Sequence, residues 1–376
     1  MTKRTALLAS LLALCLMAQG ATVLPSDSVL RRYAAQMLMV GFRGNSIDAQ
    51  SDAARYVRDL KVGAIILFDV DLTGSATVGS RNVTSRGQLA CLTHDLRAMA
   101  DYPLLIALDQ EGGKVARMKV RYGFSPTVTA EYLGTTDNED TTRHYARNIA
   151  REMAQHGVNV NLAPVVDIKG TTPGLGAIQR CFAADPATIT RHARWWIDEH
   201  HHAGVLCTLK HFPGHGSAVD DSHWGFVDVT NTWHESELEP YRMLTEQGLA
   251  DMVMTAHIMN SKLDAEYPAT LSKKVLQGLL RDTLNFDGVV VTDDMYMQAI
   301  IDKYSIENAI VLAINAGADM LCVGNNISTG YEPDRPFRLV GMIVAAVKDG
   351  RIPLERLLEA HERITRLQNK LSQLNN

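Results

Sequence analysis

The sequence predicts an α/β protein built as a single (β/α)8 barrel of the TIM type, and three observations carry that expectation. Short runs rich in Val, Ile and Leu recur along the chain, at 37–42, 64–68, 104–109, 160–167, 206–212, 252–258, 288–294 and 319–324. Continuous apolar runs of this length suit strands covered on both faces of a parallel sheet. Helix-like segments lie between them, and that alternation is the pattern of a parallel α/β fold. Polar residues close most of the runs, and a barrel would gather them at one mouth, the face on which such folds place their chemistry. A doubly wound open sheet meets the first two observations equally well.

The third run, LLIALD, ends on Asp109, and the fourth ends on Asp167. The fifth carries Lys210 and His211, the sixth His257, and the seventh, VVVTDD, closes on Asp293 and Asp294. Asn325 follows the eighth. Neighbouring strand residues point to opposite faces, so one of Asp293 and Asp294 is expected to face the barrel axis. Among the helices, 142–155 aligns Tyr145, Ile149, Ala150 and Met153, and 186–202 aligns Ile189, Ala193, Trp196 and Ile197. Ser272 is placed to cap a helix burying Val275, Leu276, Leu279 and Leu280. A last helix from Pro353 carries Leu354, Leu357, Leu358, Ile364, Leu367 and Leu371. His200–His202, at a helix end, read as solvated, since consecutive helical residues cannot converge on one ion.

The chain has 376 residues, 46% of them hydrophobic and 21% charged, which excludes wholesale disorder. The net charge is −5 and there is no basic stripe, so nucleic acid is not an expected partner. Residues 1–20 read as a secretory signal: Lys3 and Arg4, then a short apolar stretch, then Ala18, Gln19 and Gly20. Residues 21–376 are then expected to form one catalytic barrel domain, exported to the periplasm or beyond, without an integral membrane segment. An uncleaved N-terminal anchor is the other reading of 1–20. Cys91, Cys181, Cys207 and Cys322 are too few for a disulfide framework. Buried thiols are expected for Cys207 and Cys322, and one bridge is open.

Polar chemistry is densest in KHFPGHGSAVDDSHWG, 210–225. Three readings are open there. His211, His215 and His223 with an acid offer metal-ligand types, though not at a standard zinc spacing. Asp221 and His223, two apart in an extended loop, offer an acid/base pair in which the carboxylate orients the imidazole. A polar lid is the third. Elsewhere, DQEGGKVAR at 109–117 lacks Walker A spacing, GLG at 174–176 lacks the third glycine of a dinucleotide fingerprint, and there is no G-x-S-x-G elbow.

Taken in order, DQEGGKVARM (109–118), QRCFAADP (179–186), KHFPGHG (210–216) with DSH (221–223), MTAHI (254–258), PATLS (268–272) and VVTDDM (290–295) resemble glycoside hydrolase family 3. The likeness is to its bacterial β-N-acetylglucosaminidases of the peptidoglycan-recycling type. It implies a barrel and a retaining two-step mechanism without metal or organic cofactor. Asp293 is similar to the family nucleophile, His223 to its acid/base and Asp221 to the group that orients that histidine. Asp109 matches the acceptor of sugar hydroxyls, and Arg117, Arg180, Lys210 and His211 match the donors around N-acetylglucosamine. The implied substrate is an amino-sugar oligosaccharide, either a muropeptide or a chitooligosaccharide. His257 has no assigned role. Cys181 and Lys114 depart from the family's usual Ser and Arg, and 171–178 departs from its usual wording. A phosphorylase using the same residues, a metal-dependent hydrolase and a non-catalytic sugar-binding barrel are the rivals. Phosphate dependence, chelator sensitivity and binding without turnover distinguish them. The loop 211–226, with Gly214 and Gly216, is expected to be loose and to close over the sugar.

Overall fold

In a computed structural model, residues 24–72, 77, 79–170, 179–218, 225, 227–327 and 330–374 are described. The candidate signal 1–20, the segment 171–178, and Asp221 and His223 lie outside the described residues.

Eight strands answer the eight apolar runs: β1 (Leu38–Gly41), β2 (Ala64–Ile66), β3 (Leu105–Leu108), β4 (Val160–Asn161), β5 (Leu206–Phe212), β6 (Met252–Thr255), β7 (Val289–Thr292) and β8 (Leu321–Val323). Every residue in them is buried, as expected of strands covered on both faces. Each pairs in parallel with the next from β1 to β7, and β8 pairs with β1. A narrow seam joins β8 back to β7: Val291 bridges Met320, with Thr292 N donating to Met320 O at 2.9 Å and Met320 N to Val290 O at 3.0 Å. An open doubly wound sheet has two unpaired edges, so this seam decides for the TIM-type barrel.

The regular strands are shorter than the apolar runs. The clearest case is β4, which ends at Asn161 although its run continues to Asp167. Leu162 N still donates to Leu108 O and Ala163 O still accepts Thr208 N, both at 3.0 Å, but Pro164 has no N–H for the ladder, and the next bridge is Val165 to Lys210. The interruption leaves Asp167 at the mouth rather than within a ladder.

Helix α1 (Glu139–Gln155) starts earlier than the hydrophobic spacing suggests, because the Asn138 side chain accepts Thr141 N at 2.8 Å. Helix α2 (Pro186–His202) is capped by Asp185, which accepts Thr188 N at 2.8 Å. Ser272 caps α3 (Lys274–Thr283) as expected, accepting Val275 N at 3.2 Å, although α3 is π-wound and leaves Leu279 half-buried. In α4 (Leu354–Leu374), Leu358 is 41% exposed, because its neighbour Leu357 occupies the inward direction. His200 corrects the reading of a solvated helix end. It is fully buried, stacked on Trp196, with Nδ1 on Trp196 O at 2.8 Å and Nε2 at 3.0 Å from Asn161 Nδ2 of β4. His201 turns to Asp251 at 2.7 Å. These two histidines tie α2 to the barrel. Cys91, Cys181, Cys207 and Cys322 are free thiols, and all but Cys91 are buried. No helix of the described residues is long and apolar enough to cross a membrane.

Candidate active site

Five of the predicted residues meet in one charged chain at the carboxyl ends of β3 to β5. Asp109, just past β3, receives Lys210 Nζ of β5 on Oδ1 and Arg117 Nη2 on Oδ2, both at 2.9 Å. Lys210 also reaches Glu111 at 2.6 Å. Glu111 takes Arg180 in a two-pronged grip, Nε at 2.8 Å and Nη2 at 2.7 Å. Arg180 Nη2 lies 3.2 Å from His211 Nε2, and His211 Nδ1 lies 2.7 Å from Asp167 Oδ2. A guanidinium can only donate, so His211 Nε2 accepts and the ring hydrogen sits on Nδ1, pointing at Asp167. With both nitrogens engaged, His211 is a poor metal ligand. No group of three or more side chains of metal-ligand type is gathered among the described residues.

Charges alternate along this chain, and that alternation sets their protonation. Burial would raise the Asp109 carboxyl, but Lys210 and Arg117 hold it well below the usual carboxylate range. Burial likewise opposes Glu111, yet Arg180 and Lys210 bring it down to about 2. Asp167 is lowered against its burial by His211. Lys210 and Arg180 are raised by their carboxylate partners despite being buried. All five groups are therefore charged at neutral pH. Buried ion pairs recover their desolvation cost only when each is fully engaged, as here. Asp109 retains lone pairs and Lys210 a third N–H, which suits a ring of hydroxyls.

Glu111 and the role of Asp167 went unread in the sequence. Glu111 sits in a short antiparallel ribbon, Gln110–Gly112 with Val115–Ala116, that also swings Arg117 back to Asp109. Asp69, past β2, was missed as well: it takes Lys119 Nζ at 2.5 Å and Tyr122 Oη at 3.2 Å and stands 3.8 Å from Arg117 Nη1.

Asp293 follows β7 and lines the same pocket, of about 630 Å³, as Asp109, Arg117, Arg180, Lys210 and His211. Its neighbour Asp294 is engaged elsewhere: Oδ1 accepts Tyr296 N and Oδ2 accepts Gly324 N, both at 3.0 Å. Burial, with the charge of Asp293 beside it, raises Asp294 to about 6. Both acids line the pocket, and Asp294 is the one whose two carboxylate oxygens are held by backbone amides. His257 also gains a role. Its Nε2 donates to the Asp294 carbonyl at 3.0 Å while Nδ1 sits 2.8 Å from Thr270 Oγ1, so it fixes the Asp294–Met295 peptide, one residue beyond Asp293. Loss of one such bond costs about 0.5–1.5 kcal/mol, so His257→Ala is expected to lower kcat about two- to tenfold. Inhibition by free N-acetylglucosamine should stay unchanged. An equal loss in inhibitor binding would make His257 a sugar contact instead.

Within the expected mobile loop 211–226, the described stretch 211–218 is not slack, and 219–224 and 226 lie outside the described residues. Residues 211–218 are all buried. Asp167 Oδ1 accepts His215 N at 2.8 Å, Trp233 Nε1 donates to Pro213 O at 3.0 Å, and Glu237 Oε2 accepts Gly216 N at 3.2 Å. Gly214, at φ +116°, lies where a Cβ would stand 2.5 Å from the Glu237 Cβ, and a side chain at Gly216 would run into the Ile168 carbonyl. The two glycines allow close approach rather than looseness. Burial, with Asp167 adding to it, raises Glu237 to about 7, and burial lowers His215 to about 4.

A carboxyl raised on folding contributes stability that is complete below its unfolded pKa, about 4.5, and is lost as pH rises through about 7. Glu237→Gln is therefore expected to gain melting temperature relative to the parent as pH goes from 5 to 8. A constant difference between the two proteins would remove Glu237 as the titrating anchor.

The protein-family comparison matches residues 29–367 to the glycosyl hydrolase family 3 N-terminal domain. The chain belongs to glycosyl hydrolase family 3. It is 33% identical over 292 residues to a β-hexosaminidase of Tolumonas auensis, covering 77% of this chain and 83% of that one. Among solved structures, a family 3 β-N-acetylglucosaminidase from a Paenibacillus species superposes with a TM-score of 0.80 at 32% identity. That match covers 92% of this chain but 63% of the Paenibacillus chain. A β-N-acetylhexosaminidase from Beutenbergia cavernae superposes at 0.78 with 27% identity, over 90% of this chain and 98% of that one. This family 3 chain is thus a glycoside hydrolase whose barrel mouth holds the polar array expected of a sugar site.

Proposed function

We propose that the chain is an exo-acting β-N-acetylglucosaminidase. It removes terminal non-reducing β-linked N-acetylglucosamine from peptidoglycan fragments or chitooligosaccharides, outside the inner membrane after export on residues 1–20. The observation that carries this is the convergence on one pocket of Asp293 and the Asp109–Lys210–Arg117–Arg180–His211 array. The names of its β-hexosaminidase relatives point the same way.

The mechanism follows from where the charges stand. The array takes the sugar hydroxyls and turns the anomeric carbon toward Asp293. The Asp293 carboxylate attacks that carbon, the glycosidic C–O bond breaks, and the leaving oxygen takes a proton from His223. Asp221 holds the imidazole tautomer and stabilises its cation. Water then gives its proton to His223, attacks the same carbon and releases Asp293, so two inversions give net retention.

The test is the initial rate of residues 21–376 on an aryl N-acetyl-β-glucosaminide, with mass spectrometry of a quenched slow substrate. A protein-bound N-acetylhexosaminyl group that maps to Asp293 supports the reading. An α-configured first product overturns the retaining mechanism.

A further inference from the structure

The pocket has two unlike walls. Its cations and Asp109 come from β3 to β5 and the ribbon beside them, while the other acids, Asp69 after β2 and Asp293 and Asp294 after β7, stand across from them. Phe68, Val70 and Leu72 follow β2, Tyr296 and Ile301 follow β7, and Ile327 follows β8; these also line it. The barrel order β7, β8, β1, β2 makes them neighbours, so they form an apolar side, interleaved with the acids and with Gln298 and Asn326 and without a cation.

The two walls differ in depth. Lys210 is 2% exposed, whereas Leu72 is 53% exposed, and Val70, Tyr296, Ile301 and Ile327 are half-buried. The charged wall is therefore the floor and the apolar wall the lip. At about 630 Å³ the pocket lies within the range of about 300–1,000 Å³ that serves drug-sized ligands, more than one pyranose ring needs. With the glycone held on the floor, the group that Asp293 displaces from the anomeric carbon must pass along the lip. Among the described residues that line the pocket, the exposed cation is Lys114, on the ribbon across from the lip.

We infer that the lip formed by Val70, Leu72, Tyr296, Ile301 and Ile327 is a leaving-group subsite. It takes a neutral group with an apolar face and discriminates against an anionic, peptide-bearing one. This rests on the glycosidase reading. Apolar surface rewards area removed from water, and it offers an anion nothing in return for lost hydration.

The probe is a series of alkyl N-acetyl-β-glucosaminides, methyl to hexyl. Beyond the shortest members the leaving-group acidity is nearly constant, so chain length isolates contact with the lip. The expected result is a rise in kcat/KM with length, up to about fourfold per fully buried methylene. A terminal carboxylate on the longest chain should cancel most of the gain. Leu72→Asn and Ile301→Asn should flatten the series while leaving inhibition by free N-acetylglucosamine unchanged. A flat series in the parent, or a carboxylated chain that is turned over faster through Lys114, overturns the inference. If no glycoside is turned over, the glycosidase reading fails, and the same series is read as binding. A chain-length dependence of Kd by calorimetry then still supports the lip, and its absence removes it.

Discussion

Asp293→Asn is expected to lower turnover on an aryl N-acetyl-β-glucosaminide by on the order of 10⁴-fold or more, or about 5 kcal/mol of transition-state stabilisation. Its melting temperature should stay near that of the parent. An amide has no charge to share with the anomeric carbon and no lone pair of comparable nucleophilicity. It keeps the bond to the following amide, since Asn Oδ1 can accept Asp294 N as Asp293 Oδ1 does at 2.8 Å. The amide also has nearly the size and shape of the carboxylate, so the fold has little reason to notice the change. Azide should restore part of the rate by taking the carboxylate's place, and the product is then a glycosyl azide of inverted configuration. A raised KM with kcat intact would make Asp293 a binding residue, and full activity would end its candidacy.

What was legible in the sequence was whatever is written locally. Burial on two faces leaves unbroken apolar runs, so all eight strands were found, and the capping residue Ser272 placed the start of α3 well. Strand ends were blurred, because hydropathy does not register where a ladder stops. Pro164 stops β4, and the apolar letters run on past it. Asp109, Lys210, His211 and Asp293 were visible because a polar residue at the end of a buried strand is conspicuous. Glu111 was hidden in the Asp109–Arg117 run because its partners lie far along the chain, Arg180 and Lys210 on other elements. Glu237 was hidden for the same reason: its target, the Gly216 amide, belongs to a loop that looked slack on composition alone. His200 failed in the opposite direction. Three adjacent histidines suggest a solvated end, and only the packing of α2 on β4 shows one of them sealed in the core.

Glu111 should show how much the site depends on such a long-range pairing. In the parent its carboxylate separates Lys210 from Arg180, each of which is buried against it. Removing one partner of a buried ion pair while leaving the other in place costs about 3–5 kcal/mol. Here a single deletion strands Arg180 and leaves Lys210 with Asp109 alone. Glu111→Ala is thus expected to lose at least that range in denaturant unfolding and to lower kcat/KM, because Arg180 would no longer be held toward His211. Glu111→Gln keeps an acceptor and should lose less. The pH dependence gives the sign: with the folded carboxyl at about 2 against 4.5 unfolded, its contribution is present above 4.5 and fades as pH falls toward 2. Acid unfolding of the alanine variant should therefore be flatter in that window. A double-mutant cycle with Arg180→Ala separates the pair's coupling from the loss of either group alone. Coupling near zero, with the alanine variant as stable as the parent, would mean that water takes over when Glu111 is gone and that the array is not preorganised by this pair.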